Sequence, residues 1–389
     1  MTAPFSFAST PRVYFGAGKI STLPAAVKTY GRNALLITGA HSFNSHYGPG
    51  LIHQLTRDDI NIQRYTIETE PTPLMIDRAI IEFSSYDVNV VIAIGGGSVL
   101  DAGKAIAAML PLKESVKDYL EGIGTKIHPG IKVPFIAVPT TSGTGSEATK
   151  NAVLSETGER GYKKSLRHDN FVANVAIIDP FLTVSCSPNT TAASGMDTLT
   201  QLLESYLSTA ANPITDALAY KGLYLVSRSL LAAYHDGSSL GARSDMALAA
   251  YLSGVTLANA GLGLVHGFAS SIGGYFEIPH GVICSTIMGA ANRVTVRKLR
   301  HEKKSELALL KYATIGKLFT NEVNKSDDYF TDILLNTIDS WTTLMKIPRL
   351  SQLGVAVPDF QKIIDATDNK TNPVHLSKGE MTEVLEMAL

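Results

Sequence analysis

Cysteine is nearly absent from the 389-residue chain: only Cys186 and Cys284 occur. They lie far apart and share no metal-ligand spacing, which excludes a disulfide framework and predicts a reducing, cytoplasmic setting. Net charge is equally scarce. Thirty-four basic side chains face thirty-five acidic ones, so no overall field gathers nucleic acid or anionic lipid, and a small neutral or anionic ligand is expected. The opening MTAPFSFASTPRVYF has neither a positive n-region nor a long apolar h-region and does not read as a secretory leader. Between Asp245 and Glu277 no Asp, Glu, Lys or Arg occurs, a run long enough to suggest a membrane span. Asn259, His266, several serines and six glycines interrupt it, so two buried helices are expected there, with no membrane partner. Repeats, low-complexity segments and basic arms are absent too.

What remains has the balance of a folded protein, 45% hydrophobic and 18% charged, at a length that favours two domains. Apolar β-rich runs at Ala34 to Thr38, Ile62 to Ile67, Val88 to Ile94, Val133 to Val138 and Val175 to Asp179 alternate with helical patterns. Alternation of this kind predicts an α/β domain with a parallel sheet, since parallel strands need crossovers and bury both faces. From about Asn189 onward Ala- and Leu-rich helical periodicity takes over. The expected division is therefore 1–182, a dinucleotide-binding α/β domain, and 183–389, an all-α metal-binding and substrate domain, with the ligand in the cleft at the carboxyl ends of the strands.

Two loops carry the chemistry of the first half. Gly95-Gly96-Gly97-Ser98, followed by Asp101 and Lys104, joins a predicted strand to a helix. Its glycines let backbone approach a ligand, and the helix start offers free N–H groups to a pyrophosphate. The spacing is neither Gly-x-Gly-x-x-Gly nor a Walker A loop, so a tight structural turn is the competing reading. A second loop, Pro139-Thr140-Thr141-Ser142-Gly143-Thr144-Gly145-Ser146-Glu147, follows another predicted strand and precedes polar, turn-prone sequence.

These two loops occur in order with Asp179-Pro180, Gly195-Met196-Asp197 and Pro279-His280-Gly281. The chain thereby resembles the iron-containing, or group III, alcohol dehydrogenases, from Arg12-Val13-Tyr14-Phe15-Gly16 to Thr371-Asn372-Pro373. The resemblance implies a nicotinamide cofactor held by Gly95, Gly96, Gly97, Ser98, Asp101, Thr140, Thr141 and one lysine of the Lys163-Lys164 pair. It also implies a divalent metal, Fe2+ or Zn2+, bound by an aspartate, a histidine one helical turn later and two downstream histidines. Asp197, His266 and His280 match three of those ligands, but position 201 is Gln, expected to offer a weaker carboxamide oxygen. Ser270 stands where relatives carry another histidine near the nicotinamide, and its hydroxyl cannot act as a base near neutral pH.

The implied activity is hydride transfer between NAD(P)(H) and a small alcohol, aldehyde or ketone, with Asp197, His266, His280 and Ser270 nearest the chemistry. Gly39 stands where NAD-preferring relatives often have aspartate. With no carboxylate to repel a 2′-phosphate, and His41 and Ser42 as donors, NADP(H) is favoured over NAD(H). The strand at Arg12 to Gly16 is expected to pair across a subunit contact, giving a homodimer. The rival readings are a metal-free enzyme resembling maleylacetate reductase, a lyase resembling dehydroquinate synthase, and a nucleotide-binding protein with a decayed catalytic site.

Overall fold

Residues 4–40, 43–302 and 305–389 are described by the structure, a computed structural model. The strands run β1 Arg12–Phe15, β2 Asn33–Gly39, β3 Asn61–Ile67, β4 Val90–Gly95, β5 Phe135–Pro139, β6 Asn151–Glu156, β7 Tyr162–Arg167 and β8 Val175–Ile178. Six of them form a sheet in the order β1-β8-β5-β4-β2-β3, and every pairing in it is parallel. The central strands read as unbroken apolar runs because both faces are covered. Leu35, Val91, Ala93 and Phe135 face one apolar cluster, and Leu36, Ile92 and Val138 the other. Helices α1 Leu23–Lys28, α2 Gly48–Arg57, α3 Pro73–Phe83 and α4 Gly97–Met109 supply that cover. The chain passes from β2 to β3 and then returns to place β4 on the other side of β2. The strand order thus reverses between β2 and β4, where such sheets open a ligand crevice at the strands' carboxyl ends.

One expectation changes here. The polar stretch after Glu147 is not a run of turns: β6 and β7 pair as an antiparallel hairpin with Asn151 opposite Arg167 and Glu156 opposite Tyr162. Its polar residues masked an alternation whose apolar half, Ala152, Leu154 and Leu166, enters the core. The N-terminal strand β1 is the end strand of the sheet and pairs on one side with β8 of its own chain, Arg12 opposite Val175.

The second half is helical throughout: α5 Pro188–Leu207, α6 Pro213–His235, α7 Leu240–Ala260, α8 Leu264–Tyr275, α9 His280–Glu302, α10 Glu306–Gly316, α11 Asp327–Leu344, α12 Phe360–Ala366 and α13 Lys378–Ala388. Proline at the first position and the Ser187 side chain, which accepts from the Thr190 N–H, start α5. The uncharged stretch forms α7 and α8, which meet at a 97° bend and are largely buried. Among the described residues no single helix is long and apolar enough to cross a membrane.

The halves meet at a tight seam. Gly145 has φ of 60°, and a Cβ there would lie 2.4 Å from the Ala250 carbonyl oxygen on α7; one on Gly254 would lie 2.1 Å from the Gly145 oxygen. Neither position tolerates a side chain without backbone movement. On the same loop the Thr198 hydroxyl of α5 reaches the carbonyls of Ser142 and Gly143, each at 3.0 Å. The second loop is thus fastened to the two helices that border the metal-ligand candidates.

A candidate metal and nucleotide site between the two halves

Asp197 sits mid-way along α5, His266 in the first turn of α8, and His280 at the first residue of α9. Three helices therefore aim three side chains at one point. Asp197 Oδ1 is 3.5 Å from His266 Nε2 and 3.9 Å from His280 Nε2. A fourth donor joins them: Cys284 Sγ lies 3.8 Å from His266 Nε2 and 3.7 Å from His280 Nε2. One ligand atom from each of these four residues lies within 4.8 Å of every other. The sequence did carry a signal for Cys284, since it follows His280 by one helical turn and shares its face of α9.

The donor set suits a cation. Asp197 is 1% exposed, yet its Oδ1 has no hydrogen-bond partner, a costly arrangement for a buried carboxylate unless a positive charge faces it. Its other oxygen accepts from Gln201 Nε2 at 3.1 Å. Burial alone would raise the Asp197 pKa, but the imidazoles of His266 and His280 beside it hold it below the usual carboxylate range. Burial depresses His280 to about 4, against the pull of Asp197, so this ring is neutral and its lone pair is available. Around His266 burial acts downward as well, but Cys284, Glu204 and Asp197 together hold its pKa well above that of free imidazole. The site demands positive charge.

Glu204, one turn beyond Gln201 on the same face of α5, went unnoticed in the sequence. Its Oε2 is 2.6 Å from His266 Nδ1 and its Oε1 accepts from the Val265 N–H at 2.7 Å. A carboxylate at that distance holds a proton on Nδ1 and leaves Nε2 as the atom that faces Asp197 and would face a bound ion.

Gln201 turns its amide between two neighbours: its carboxamide oxygen accepts from the Ser253 hydroxyl at 3.1 Å while its NH2 donates to Asp197 at 3.1 Å. Ser270 borders the same cavity, with its hydroxyl committed to the His266 carbonyl at 2.9 Å. Beside it lies Lys370, also unforeseen, a solvent-exposed residue whose Nζ donates to the same carbonyl at 3.1 Å and whose backbone is left-handed, φ 48°.

The nucleotide candidates line the groove leading to this point. Gly97, Ser98, Thr144, Glu70 and His280 border both its inner and its outer section, and the outer section extends to Gly96 and Thr141. Thr140 ties the loops together, its N–H donating to the Gly95 carbonyl at 2.9 Å. The glycines serve packing as much as ligand approach: a Cβ on Gly95 would meet Val99 at 2.6 Å and one on Gly97 would meet Thr144 at 2.7 Å, while one on Gly96 would stand at ordinary contact, 3.5 Å from Thr141.

Asp101 is an organiser here. It accepts from the Ser146 hydroxyl and, at 3.1 Å, from the Val153 N–H. Lys104 is wholly buried and fastens the second loop to the hairpin, donating to Ser146 O at 2.8 Å, Thr149 Oγ1 at 2.7 Å and Asn151 O at 2.8 Å. The hairpin's alternation separates the two lysines: Lys163 faces the groove and pairs with Glu70, and Lys164 is exposed on the opposite side. Gly39 ends β2, and a Cβ there would meet nothing nearer than Val99 at 3.8 Å. His41 and Ser42 lie outside the described residues.

A family model described as "Iron-containing alcohol dehydrogenase" matches residues 10–180, and one described as "Fe-containing alcohol dehydrogenase family, C-terminal" matches residues 191–389. The chain belongs to the iron-containing alcohol dehydrogenase family. It is 31% identical over 396 residues to alcohol dehydrogenase 4 of Saccharomyces cerevisiae, covering 100% of this chain and 99% of that one. With the 1,3-propanediol dehydrogenase of Klebsiella pneumoniae it shares 34% identity over 352 residues, 89% and 88% of the two chains. The solved structure of a 1,3-propanediol oxidoreductase superposes with a TM-score of 0.89 at 28% identity over 100% of both chains. As a member of this family the chain is an oxidoreductase, and its α/β domain and helical domain are those of its relatives.

Proposed function

We propose that the cleft performs metal-assisted hydride transfer between a nicotinamide dinucleotide, NADP(H) in preference to NAD(H), and a small alcohol, aldehyde or ketone. The observation that carries this reading is the convergence of Asp197, His266 and His280 at the inner end of the groove lined by Gly97 and Ser98. A divalent ion held by those three side chains supplies Lewis-acid polarisation of the substrate oxygen, and the bound dinucleotide supplies or accepts the hydride. Asp197 brings the negative charge, and Glu204 keeps the His266 Nε2 lone pair inward. The free N–H groups that open α4 at Gly97 and Ser98 receive the pyrophosphate, and Lys163 adds a cation on the hairpin side of the groove.

Ser270 cannot hold a proton near neutral pH. Lys370, bordering the same cavity, offers a charged N–H to the substrate oxygen in place of the missing histidine. NADP(H) preference rests on Gly39, where no carboxylate opposes a 2′-phosphate, and on the Arg64 guanidinium beneath that turn, bound to Thr38 Oγ1 at 2.9 Å and Asn44 Oδ1 at 2.8 Å. The metal-free reading would leave Asp197 Oδ1 buried and unpaired. A homodimer uses the outer, unpaired edge of β1 at the end of the sheet, and the enzyme works in the cytoplasm; light scattering at micromolar concentration yields twice the chain mass if the dimer is correct.

The deciding test uses protein stripped by chelator and reloaded with iron or zinc, assayed on one panel of aldehydes with NADPH and with NADH. Activity that returns only with metal, and is higher with NADPH, supports the reading. Full activity in the stripped protein removes the metal from it.

A further inference from the structure

The loss of histidine at position 201 leaves a three-ligand set on helices α5, α8 and α9, and Gln201 does not fill the gap, since its oxygen is taken by Ser253. Cys284 stands on the other wall of the same point. It is fully buried, and its sulfur faces the two imidazole Nε2 atoms and lies within 4.8 Å of the Asp197 carboxylate. The unpartnered Asp197 Oδ1 completes the ring of donors. Bonds of about 2.0–2.1 Å to nitrogen or oxygen and about 2.3 Å to sulfur give a tetrahedron with edges of roughly 3.3–3.6 Å. Four of the six observed separations are 3.5, 3.7, 3.8 and 3.9 Å, within about 0.6 Å of those edges, and all six are within 4.8 Å.

We propose that Cys284 is the fourth protein ligand of the metal, a thiolate from α9 replacing the imidazole that α5 no longer supplies, and that the site is thereby built for zinc rather than iron. This rests on the reading that Asp197, His266 and His280 hold a metal. The ligand count of four is kept while the ligand changes both chemistry and helix. Binding converts the thiol to thiolate with release of its proton. An Asp-His-His-Cys set mixes hard, borderline and soft donors, a combination that suits zinc better than ferrous iron.

Cobalt(II) is the probe, because a cobalt–thiolate bond produces a near-ultraviolet charge-transfer band that oxygen and nitrogen ligands do not. The stripped full-length protein, reloaded with cobalt, is expected to bind one ion per chain and show that band. Cys284→Ser should still bind cobalt, about tenfold or more weakly, and lose the band, and Cys186→Ser should keep both. X-ray absorption of the zinc-loaded wild-type protein, which needs no variant to fold, should find one sulfur at about 2.3 Å. When zinc and ferrous iron compete without air, the zinc-to-iron ratio taken up should fall about tenfold or more in Cys284→Ser. One bound cobalt without the band, or a band that survives in Cys284→Ser, overturns the thiolate ligand and leaves the Asp-His-His reading standing. Cobalt that fails to bind the wild-type protein, or binds Asp197→Asn equally well, defeats both.

Discussion

The two halves build their sites from different parts of the chain. In the α/β half the groove is made largely of backbone: the opening of α4, the loop after β5, and glycines packed against Val99 and Thr144. In the helical half the site is four side chains from three helices, with Glu204 holding His266 and Gln201 holding Asp197. A backbone cradle survives most side-chain changes, because its donors are peptide groups. A side-chain cluster can be altered one residue at a time. This is where the chain departs from the ligand pattern that the family resemblance implies, at Gln201 and Ser270, while the glycine loops keep to it.

The comparison breaks most visibly at Asp197. Replacing it by Asn removes the only carboxylate among the donors and should abolish stoichiometric metal binding, with a fall in activity of about a thousandfold or more if Lewis-acid assistance contributes several kcal/mol. NADPH binding, followed by quenching of the single tryptophan or by enhanced nicotinamide fluorescence, should change little. If Asp197→Asn weakens dinucleotide binding as much as metal binding, the two sites are not separable in this way.

A smaller effect is expected one layer out. Glu204→Gln keeps the volume but no longer secures the proton on His266 Nδ1, and loss of such a partner typically costs about 10- to 100-fold in metal affinity. Metal titration against a competing chelator reads it. An unchanged affinity would mean that the helix scaffold alone orients His266.

The parallel sheet and most strand positions were legible because buried parallel strands leave continuous apolar runs, and β4 with its following glycines was plain. The β6–β7 hairpin was not, because its groove-facing residues Asn151, Ser155, Lys163, Ser165 and Arg167 are polar. An alternating strand over a polar cleft resembles a loop in composition. At the site, Asp197, His266 and His280 could be found by motif. Cys284, Glu204 and Lys370 depend on which helix faces meet, and that is fixed by packing. The choice between Lys163 and Lys164 had to wait for the hairpin, since only a strand's period of two separates adjacent residues.

Cofactor choice tests the backbone cradle at its edge. Gly39→Asp has room for its Cβ and introduces a carboxylate where the adenosine ribose is proposed to sit. The Michaelis constant for NADPH should rise about tenfold relative to NADH, for about 1.4 kcal/mol of added repulsion. Equal constants for the two cofactors before and after the change would place the 2′-position elsewhere.

The smallest expected effect lies at the seam between the two regions. Glu147 follows Ser146 on the loop fastened to α5 and α7, and it is 2% exposed. Burial raises its pKa from 4.5 to about 7, with its own backbone N–H and Lys104 pulling the other way. The folded state therefore binds a proton between about pH 4.5 and about pH 7 that the unfolded chain releases. Its contribution to stability is complete below that window and is lost as pH rises through it, at up to about 1.4 kcal/mol per pH unit. Lys104 has a pKa of about 8 and stays protonated across most of this range, so it adds little slope of its own. Glu147→Gln keeps the shape and cannot ionise. The difference in urea unfolding free energy, variant minus wild type, should grow in the variant's favour from pH 5 to pH 7, by about 1 kcal/mol between pH 6 and pH 7. A flat difference would mean that Glu147 is ionised in the folded protein throughout, its charge balanced within the seam by Lys104.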